Sequence, residues 1–198
     1  LVDLNAAPPA LLAAAFRAAG ETPEAAAQLA DRVADWRDAD DDRRPQGAEA
    51  SDYVALGAAP GLPPPANRRF EALVELKRTL GVDPDLYARA LPFFTLQSRR
   101  AGVDPRFAPP PLLRTLPAAD PRAVEALLAR RPLADDAAVR ELGLPAELTA
   151  SAVGDVLEIY AVARMPGERG RERRAGRRAT LRLTGMLADP AWLHAWEE

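Results

Sequence analysis

Apolar residues recur at helical spacing along most of the first 145 positions. In three segments the spacing is that of one face of an amphipathic helix. These stripes are Leu29, Val33 and Trp36; Leu73, Leu76 and Leu80 within 70–80; and Val124, Leu127 and Leu128. Gly81 follows the second stripe, and Gly143 follows a further short helix predicted over 135–142. Both glycines stand where a residue of positive φ ends a helix.

Three dipeptides mark predicted helix starts: Thr22-Pro23, Asp83-Pro84 and Asp120-Pro121. The Thr or Asp side chain can accept a hydrogen bond from an unpaired N–H of the first turn. Proline suits the next position because no partner is needed there for its missing N–H. Pro92 is expected to stop the helix that begins at Pro84.

The pattern changes after Gly154. Residues 155–164 suit either a strand buried on both faces or a helix of similar length. Residues 180–184 alternate apolar and polar positions, which is typical of a strand. Trp192, His194 and Trp196 share one parity of a predicted last strand. We therefore expect two or three antiparallel strands, a sheet small enough to need cover from other elements.

An internal repeat joins two parts of the helical region. Residues 2–12 align with residues 103–113, and seven of the eleven positions are identical. Each copy passes through prolines and then presents a pair of leucines. Chance matching in a sequence rich in Ala, Pro and Leu is the alternative, but two copies favour duplicated helical hairpins rather than a solenoid.

Composition excludes several kinds of chemistry. The 198 residues include no Cys and one His, which argues against a disulfide scaffold, a thiolate zinc site and histidine-based catalysis. A net charge of -3 gives no overall attraction to nucleic acid. The sequence contains no Walker or dinucleotide-binding loop, and we expect no enzyme. No 18-residue apolar run is present, and the missing initiator Met leads us to expect a fragment.

The strongest candidate for chemistry is an acidic segment after Trp36. Asp38, Asp40, Asp42 and Glu49 occupy positions 1, 3, 5 and 12 of a calcium-loop spacing. Position 6, which is glycine in a regular EF-hand, is Arg43 here. Two interpretations remain open. The segment is either a solvated acidic helix end, neutralised in part by nearby arginines, or a calcium site in a different backbone.

Residues 34–41 are followed by Gly47-Ala48-Glu49 and then by Tyr53. This run is the most specific of several motifs that resemble those of the type II secretion system protein K family of minor pseudopilins. The resemblance also covers residues 2–8 with their leucine pair, Asn67-Arg68-Arg69-Phe70, Leu86-Tyr87-Ala88 and 91–95. It extends well over roughly residues 1–130.

The resemblance implies an α+β fold. A mostly helical domain of hairpin repeats would be inserted in a pilin-like α/β domain, with a small C-terminal antiparallel sheet. The N-terminal transmembrane helix and first strands would lie outside this sequence. The expected parts are 1–100, the first hairpin unit with the acidic metal loop; 101–150, a second hairpin unit; and 151–198, the closing strands.

The resemblance also implies a function without catalysis. The protein would cap the tip of the pseudopilus, help to initiate its assembly and bind minor pseudopilins I and J. It would act on the periplasmic side of the bacterial inner membrane. Calcium would bind Asp38, Asp40, Glu49 and Asp52, with Asp35 and Asp42 as further candidates.

Two alternatives remain on the sequence alone. The hairpins also resemble helix-hairpin-helix DNA-binding modules, although the turn 19–22 has one glycine and an acidic residue. An arginine cluster over 164–178 is interpreted as a flexible hairpin loop, or as a contact for acidic lipid or an acidic partner.

Overall fold

The computed structural model describes residues 1–55, 63–131, 136–150, 156–166, 172–183 and 191–197. The chain divides into two compact units, Leu1–Ser151 and Ala152–Glu198, here called the helical unit and the sheet unit. A predominantly helical part followed by a small antiparallel sheet confirms the predicted α+β class. None of the helices in the described residues has the length and apolarity needed to span a lipid bilayer.

The helical unit contains short helices and one two-stranded parallel pairing. The α-helices are α1 (Pro9–Ala18), α2 (Pro23–Arg37), α3 (Ala50–Ala55), α4 (Pro84–Ala90), α5 (Pro110–Thr115), α6 (Pro121–Arg130) and α7 (Asp136–Arg140). The 3-10 helices are Leu73–Arg78, Leu91–Phe93 and Ala146–Leu148. Strand β1 (Val2–Asp3) pairs in parallel with β2 (Phe94–Thr95).

The three predicted helix starts are confirmed. Thr22 accepts a hydrogen bond from the backbone N–H of Ala25 at 3.2 Å. Asp83 accepts from Leu86 at 2.7 Å, and Asp120 accepts from two N–H groups of the first turn of α6. The caps form because each side chain is only three residues from the N–H groups it satisfies.

Replacing the cap of α4 should destabilise the helical unit modestly. We expect Asp83→Ala to lower the free energy of unfolding by about 1 kcal/mol, since the Leu86 N–H loses its acceptor. Asp85→Ala is the matched control because it removes the same charge from the exposed first turn of α4. Urea unfolding of both variants measures the difference, and equal losses would contradict a capping role.

The segment predicted as a helix over 70–80 is instead a 3-10 helix over Leu73–Arg78. The buried Glu75 carboxylate accepts hydrogen bonds from the N–H groups of Glu71 and Ala72, both at 2.9 Å. These bonds hold the preceding residues outside the helix. The prediction of helix type was wrong because the spacing of apolar residues does not reveal this side-chain contact. Gly81 does adopt the expected positive φ, at 90°.

The core of the helical unit is made by the predicted apolar stripes and by both leucine pairs of the repeat. Phe16 of α1 packs against Phe94 of β2, with ring centroids 5.2 Å apart. The largest side chains that are almost wholly buried include Trp36, Phe16, Phe94, Leu4, Leu11, Leu12, Leu76, Leu112, Leu113 and Leu127. The helical unit therefore owes its stability mainly to apolar burial between short helices.

The repeat in the sequence is also a repeat in the structure. In the first copy the Ala7 N–H donates to the Asp3 carbonyl oxygen at 2.9 Å, and in the second the Ala108 N–H donates to the Asp104 carbonyl oxygen at 2.9 Å. Each copy also makes a parallel pairing with a later segment: β1 with β2, and Val103 with Thr149.

An arginine closes each copy in the same way. Arg37, at the end of α2, and Arg131, just after α6, each donate to two carbonyl oxygens ahead of the first helix of their own hairpin. The four carbonyls occupy equivalent repeat positions, Leu4 and Ala7 in the first copy and Pro105 and Ala108 in the second. The two hairpins thus share a closing contact as well as a sequence motif.

The sheet unit has three antiparallel strands in the order β3 (Val156–Pro166), β4 (Glu172–Leu183) and β5 (Ala191–Glu197). The segment that suited either a strand or a helix is a strand. The prediction that the arginine cluster lies in a loop is wrong for most of its members. Arg164 pairs with Arg174 and Ala161 pairs with Arg177, within the ladder between β3 and β4.

The predicted last strand is present, and its pairing with β4 contains one register irregularity. Trp192 pairs with Arg182, whereas Trp196 pairs with Ala179. These partners have opposite parity in β4, and the register shifts between Thr180 and Leu181.

Candidate metal site

The predicted metal ligands lie at one helix–loop–helix junction. Asp35 belongs to the last turn of α2, and Asp52 belongs to α3. Between these helices runs a twelve-residue segment from Asp38 to Glu49, here called the acidic loop. Like a calcium-binding loop, it lies between two helices. However, Arg43 stands where a regular EF-hand has glycine, and Pro45 follows two positions later.

Aromatic packing fixes the two ends of the acidic loop. Trp36, 1% exposed, stacks on Phe70 with ring centroids 5.9 Å apart and contacts Tyr53 of α3 at 6.5 Å. The Tyr53 hydroxyl accepts a hydrogen bond from the Leu80 N–H at 3.0 Å. The end of α2 and the start of α3 are therefore held against the same buried cluster.

Two asparagines tie the site to distant parts of the chain. Asn5 pairs with the backbone of Phe70, accepting from its N–H at 2.8 Å and donating to its carbonyl oxygen at 2.9 Å. Asn67 donates to the Asp40 carbonyl oxygen at 3.2 Å and to Asp41 Oδ1 at 2.9 Å. Sequence reasoning assigned no role to Asn67 or Asp41, and the contact joins segments more than 25 residues apart.

Asp35 and Asp38 are brought together by Arg44. Its Nη1 lies 2.9 Å from Asp35 Oδ1 and 2.6 Å from Asp38 Oδ2. The Arg44 backbone N–H also donates to Asp35 Oδ2 at 3.3 Å. Burial raises the pKa of Asp35, and the Arg44 contacts oppose that rise. The Arg44 pKa is raised because its bonds to both carboxylates outweigh its own partial burial.

Gly47 allows the loop to close over Asp35. A Cβ atom at this position would lie 1.8 Å from Asp35 Oδ2, closer than atoms can approach. The Gly47 N–H donates to the Arg44 carbonyl oxygen at 3.0 Å, so a tight turn carries the chain past the carboxylate. A glycine is required here because a side chain would collide with Asp35. In an EF-hand the glycine is required for a different reason, the positive φ of the backbone.

Glu49 is the most unusual group of the site. Its residue is 5% exposed, and both carboxylate oxygens are buried without a hydrogen-bond partner. Burial raises the Glu49 pKa to about 7, with repulsion from Asp35, Asp38, Asp41 and Asp40 as further causes. Such a group is costly unless a proton or a cation neutralises it.

The remaining predicted ligands are more peripheral. Asp40 and Asp42 are exposed, and Asp40 Oδ1 accepts a hydrogen bond from the Asp42 N–H at 3.0 Å. Asp52 pairs with Arg43 at 2.8 Å and accepts from the Glu49 N–H at 2.9 Å. These two bonds, the backbone one first, hold the pKa of Asp52 below its usual range.

The donor set suits a hard cation, although it is not a closed cage. Across the described residues no three Asp, Glu, His or Cys side chains are already grouped to hold a metal ion. However, three buried carboxylate oxygens of the acidic loop have no hydrogen-bond partner: Asp38 Oδ1, Glu49 Oε1 and Glu49 Oε2. Calcium binds six to eight oxygen ligands and favours carboxylates, so these unpaired oxygens are the groups it would satisfy.

The fold of this chain is also found in a solved structure. It is similar to a chain in the crystal structure of the GspK-GspI-GspJ complex from enterotoxigenic Escherichia coli, with a TM-score of 0.56 and 17% sequence identity. The similarity covers 98% of this chain and 74% of that chain.

Residues 3–98 match the family described as type II secretion system protein K. The chain is 35% identical over 74 residues to type II secretion system protein K of Dickeya chrysanthemi and 39% identical over 77 residues to that of Pectobacterium carotovorum. Each match covers 37% of this chain but only 19% and 22% of those relatives. The similarity to the protein K family is therefore carried by this segment, and the chain matches about a fifth of the length of these relatives.

Proposed function

We propose that this chain is part of a non-enzymatic minor pseudopilin that caps the tip of a type II secretion pseudopilus and helps to initiate its assembly. The observation that carries the proposal is the fold likeness, which runs through both units and covers 98% of the chain. The protein K match over residues 3–98 supports the same assignment.

The shape of the helical unit suggests how such a cap would work. A filament subunit must accept another subunit above it, and a large helical unit attached to a pilin-type sheet would obstruct that addition. Residues 1–151 supply such a unit, with its own core. Capping would then be a mechanical consequence of bulk and would need no catalytic group.

The proposed function includes calcium binding at the acidic loop. Glu49 and Asp38 supply the buried oxygens without partners. The further proposed ligands of the same junction are Asp35, Asp52 and the exposed Asp40 and Asp42. A bound calcium ion would supply positive charge where these carboxylates repel one another. Asn67, Trp36 and Tyr53 would hold the loop and its flanking helices in place.

The proposed partners are minor pseudopilins I and J, on the periplasmic side of the inner membrane. Support comes from the solved complex to which the chain is similar, whose name lists GspI and GspJ beside GspK. Membrane attachment would be through an N-terminal helix outside this sequence.

Co-purification tests the proposal directly. We expect this chain, produced together with subunits I and J of the same secretion system, to elute with both as one complex in size-exclusion chromatography. The physical reason is that a tip subunit must bind its neighbours through a stable interface. Elution of the chain apart from both partners would contradict the proposed function.

The DNA-binding alternative gains no support from the first hairpin. Its turn contains Glu21, which pairs with Arg89 at 2.8 Å, and the Ala19 carbonyl accepts from the same arginine. A gel shift with duplex DNA at low salt serves as the control, and we expect no retardation.

A further inference from the structure

Arg44 lies where a metal ion would be needed. A single nitrogen, Nη1, is within 2.9 Å of one carboxylate and 2.6 Å of another, those of Asp35 and Asp38. The Asp35 side chain is fully buried, whereas the Arg44 side chain keeps 36% of its surface exposed. The guanidinium therefore reaches in from the protein surface to neutralise a buried charge.

We propose that Arg44 is a built-in competitor of the metal: its guanidinium bridges Asp35 and Asp38 in the calcium-free protein and leaves them when the ion binds. This inference rests on the proposed calcium site and deepens it by naming the residue that sets the affinity. Arg44 takes the place of the cation in part, so that the acidic loop folds without metal.

The other nearby arginines are committed elsewhere. Arg37 donates to the carbonyl oxygens of Leu4 and Ala7 and so closes the first hairpin. Arg43 pairs with Asp52 through a side chain that is 56% exposed. Of these three arginines of the acidic segment, Arg44 is thus the one whose contacts are with the inner carboxylates.

Arg44 neutralises only part of the negative charge of the acidic loop, and this favours its replacement by a calcium ion. Glu49 lies among the same carboxylates but has no hydrogen-bond partner on either oxygen, and Asp38 Oδ1 also has none. A guanidinium carries one charge and approaches from one side, whereas calcium carries two and accepts oxygen ligands from all directions. The ion can therefore satisfy Glu49 as well as the two aspartates.

Release of Arg44 would not require unpacking of the core. Its side chain is one-third exposed, and the contacts it would lose are polar. The main free-energy cost of metal binding is therefore the loss of the Arg44 contacts with Asp35 and Asp38.

The variant Arg44→Gln tests this competition. We expect its dissociation constant for calcium to fall by about tenfold relative to the wild type, equivalent to about 1.4 kcal/mol. In EDTA the same variant should unfold at a lower temperature, because Asp35 then loses its partner. Isothermal titration with calcium chloride in chelator-treated buffer measures the first effect, and thermal unfolding measures the second.

Arg114→Gln is the matched control, since Arg114 forms an ion pair with Glu125 at 2.7 Å in the second hairpin, on α5 and α6. It removes the same charge from an arginine–carboxylate pair, and its calcium affinity should equal that of the wild type. An equal tenfold gain in this control would show a general charge effect and would overturn the proposal.

The outcomes separate the inference from the function on which it rests. Calcium binding by the wild type with no gain in Arg44→Gln would overturn the competition and leave the calcium site standing. No binding by either protein would overturn the calcium site itself. If the Arg44→Gln variant does not fold, NMR of the wild type tests the same exchange. The Arg44 side-chain N–H signal should shift when calcium is added, and a signal that does not shift at saturating calcium would refute the exchange.

Discussion

Calcium is expected to raise the midpoint of thermal unfolding of this chain, and EDTA to reverse the change. A ligand that binds only the folded state stabilises it by about 2.7 kcal/mol at a free concentration one hundred times its dissociation constant. For a chain of this length that gain corresponds to roughly 5–10 °C. Circular dichroism melting in calcium and in EDTA gives the measurement.

The size of this effect follows from the state of the buried carboxylates. Asp38 Oδ1 and both oxygens of Glu49 are buried and accept no hydrogen bond from the described residues. An ion would convert these three unsatisfied groups into ligands at once. Magnesium should be much less effective, because it demands a tighter octahedral shell and gives up its water reluctantly.

Asp40→Ala should abolish the calcium-dependent shift, since a ligand of the loop is lost. Asp85→Ala, an equal loss of charge on the exposed start of α4, should retain it. Equal melting midpoints for the wild-type chain in calcium and in EDTA would count against the metal site.

Local signals explain why the helix starts could be predicted. Thr22, Asp83 and Asp120 bond to N–H groups within three residues, so sequence neighbours alone decide the outcome. The 3-10 helix over Leu73–Arg78 could not be foreseen in the same way. Its form depends on the Glu75 side chain turning back to preceding N–H groups, which apolar periodicity does not encode.

The repeat shows how far sequence alignment reaches. The leucine pairs matched in the alignment are buried in both hairpins. Arg37 and Arg131 make the same closing contacts, but the alignment did not connect them, because the helices between differ in length. Helix α2 runs from Pro23 to Arg37, whereas α6 runs only from Pro121 to Arg130.

From the sequence alone, the candidate site could be identified only as a set of acidic residues. Spacing indicates Asp38, Asp40, Asp42 and Glu49, whereas Asp35 and Asp52 are implied only by the family resemblance. The structure places Asp35 and Asp38 on the same arginine, and repulsion from both contributes to the raised pKa of Glu49. The roles of Asn67 and Gly47 could not be found, because each depends on how the folded chain approaches itself. Sequence reasoning did count Arg44 as a neutralising charge, but its position between two particular carboxylates needed coordinates.

Replacing Glu49 should change stability in opposite directions with and without calcium. In EDTA at pH 8 we expect Glu49→Gln to be more stable than the wild type by about 2 kcal/mol. With saturating calcium the variant should gain far less from the ion than the wild type, because the glutamine amide offers one neutral oxygen in place of a charged carboxylate. Urea unfolding under the two conditions measures both changes.

The sign in EDTA follows from the titration of Glu49. Its pKa rises from 4.5 to about 7 on folding, with burial as the first cause. Between these values the folded state holds a proton that the unfolded state has released, so the stability of the calcium-free protein falls as the pH rises from about 4.5 to about 7. A shift of this size corresponds to roughly 3 kcal/mol above pH 7, from which the buried glutamine amide recovers only part.

The pH dependence separates this electrostatic effect from a change in packing. The advantage of Glu49→Gln in EDTA should shrink toward pH 5, where the wild-type carboxyl is protonated in the folded state. Glu141→Gln, at an exposed position after α7, should show no such trend. A Glu49→Gln variant that is no more stable than the wild type at pH 8 in EDTA would mean that the Glu49 carboxylate already has a neutralising partner, and the reason for an ion in the acidic loop would be removed.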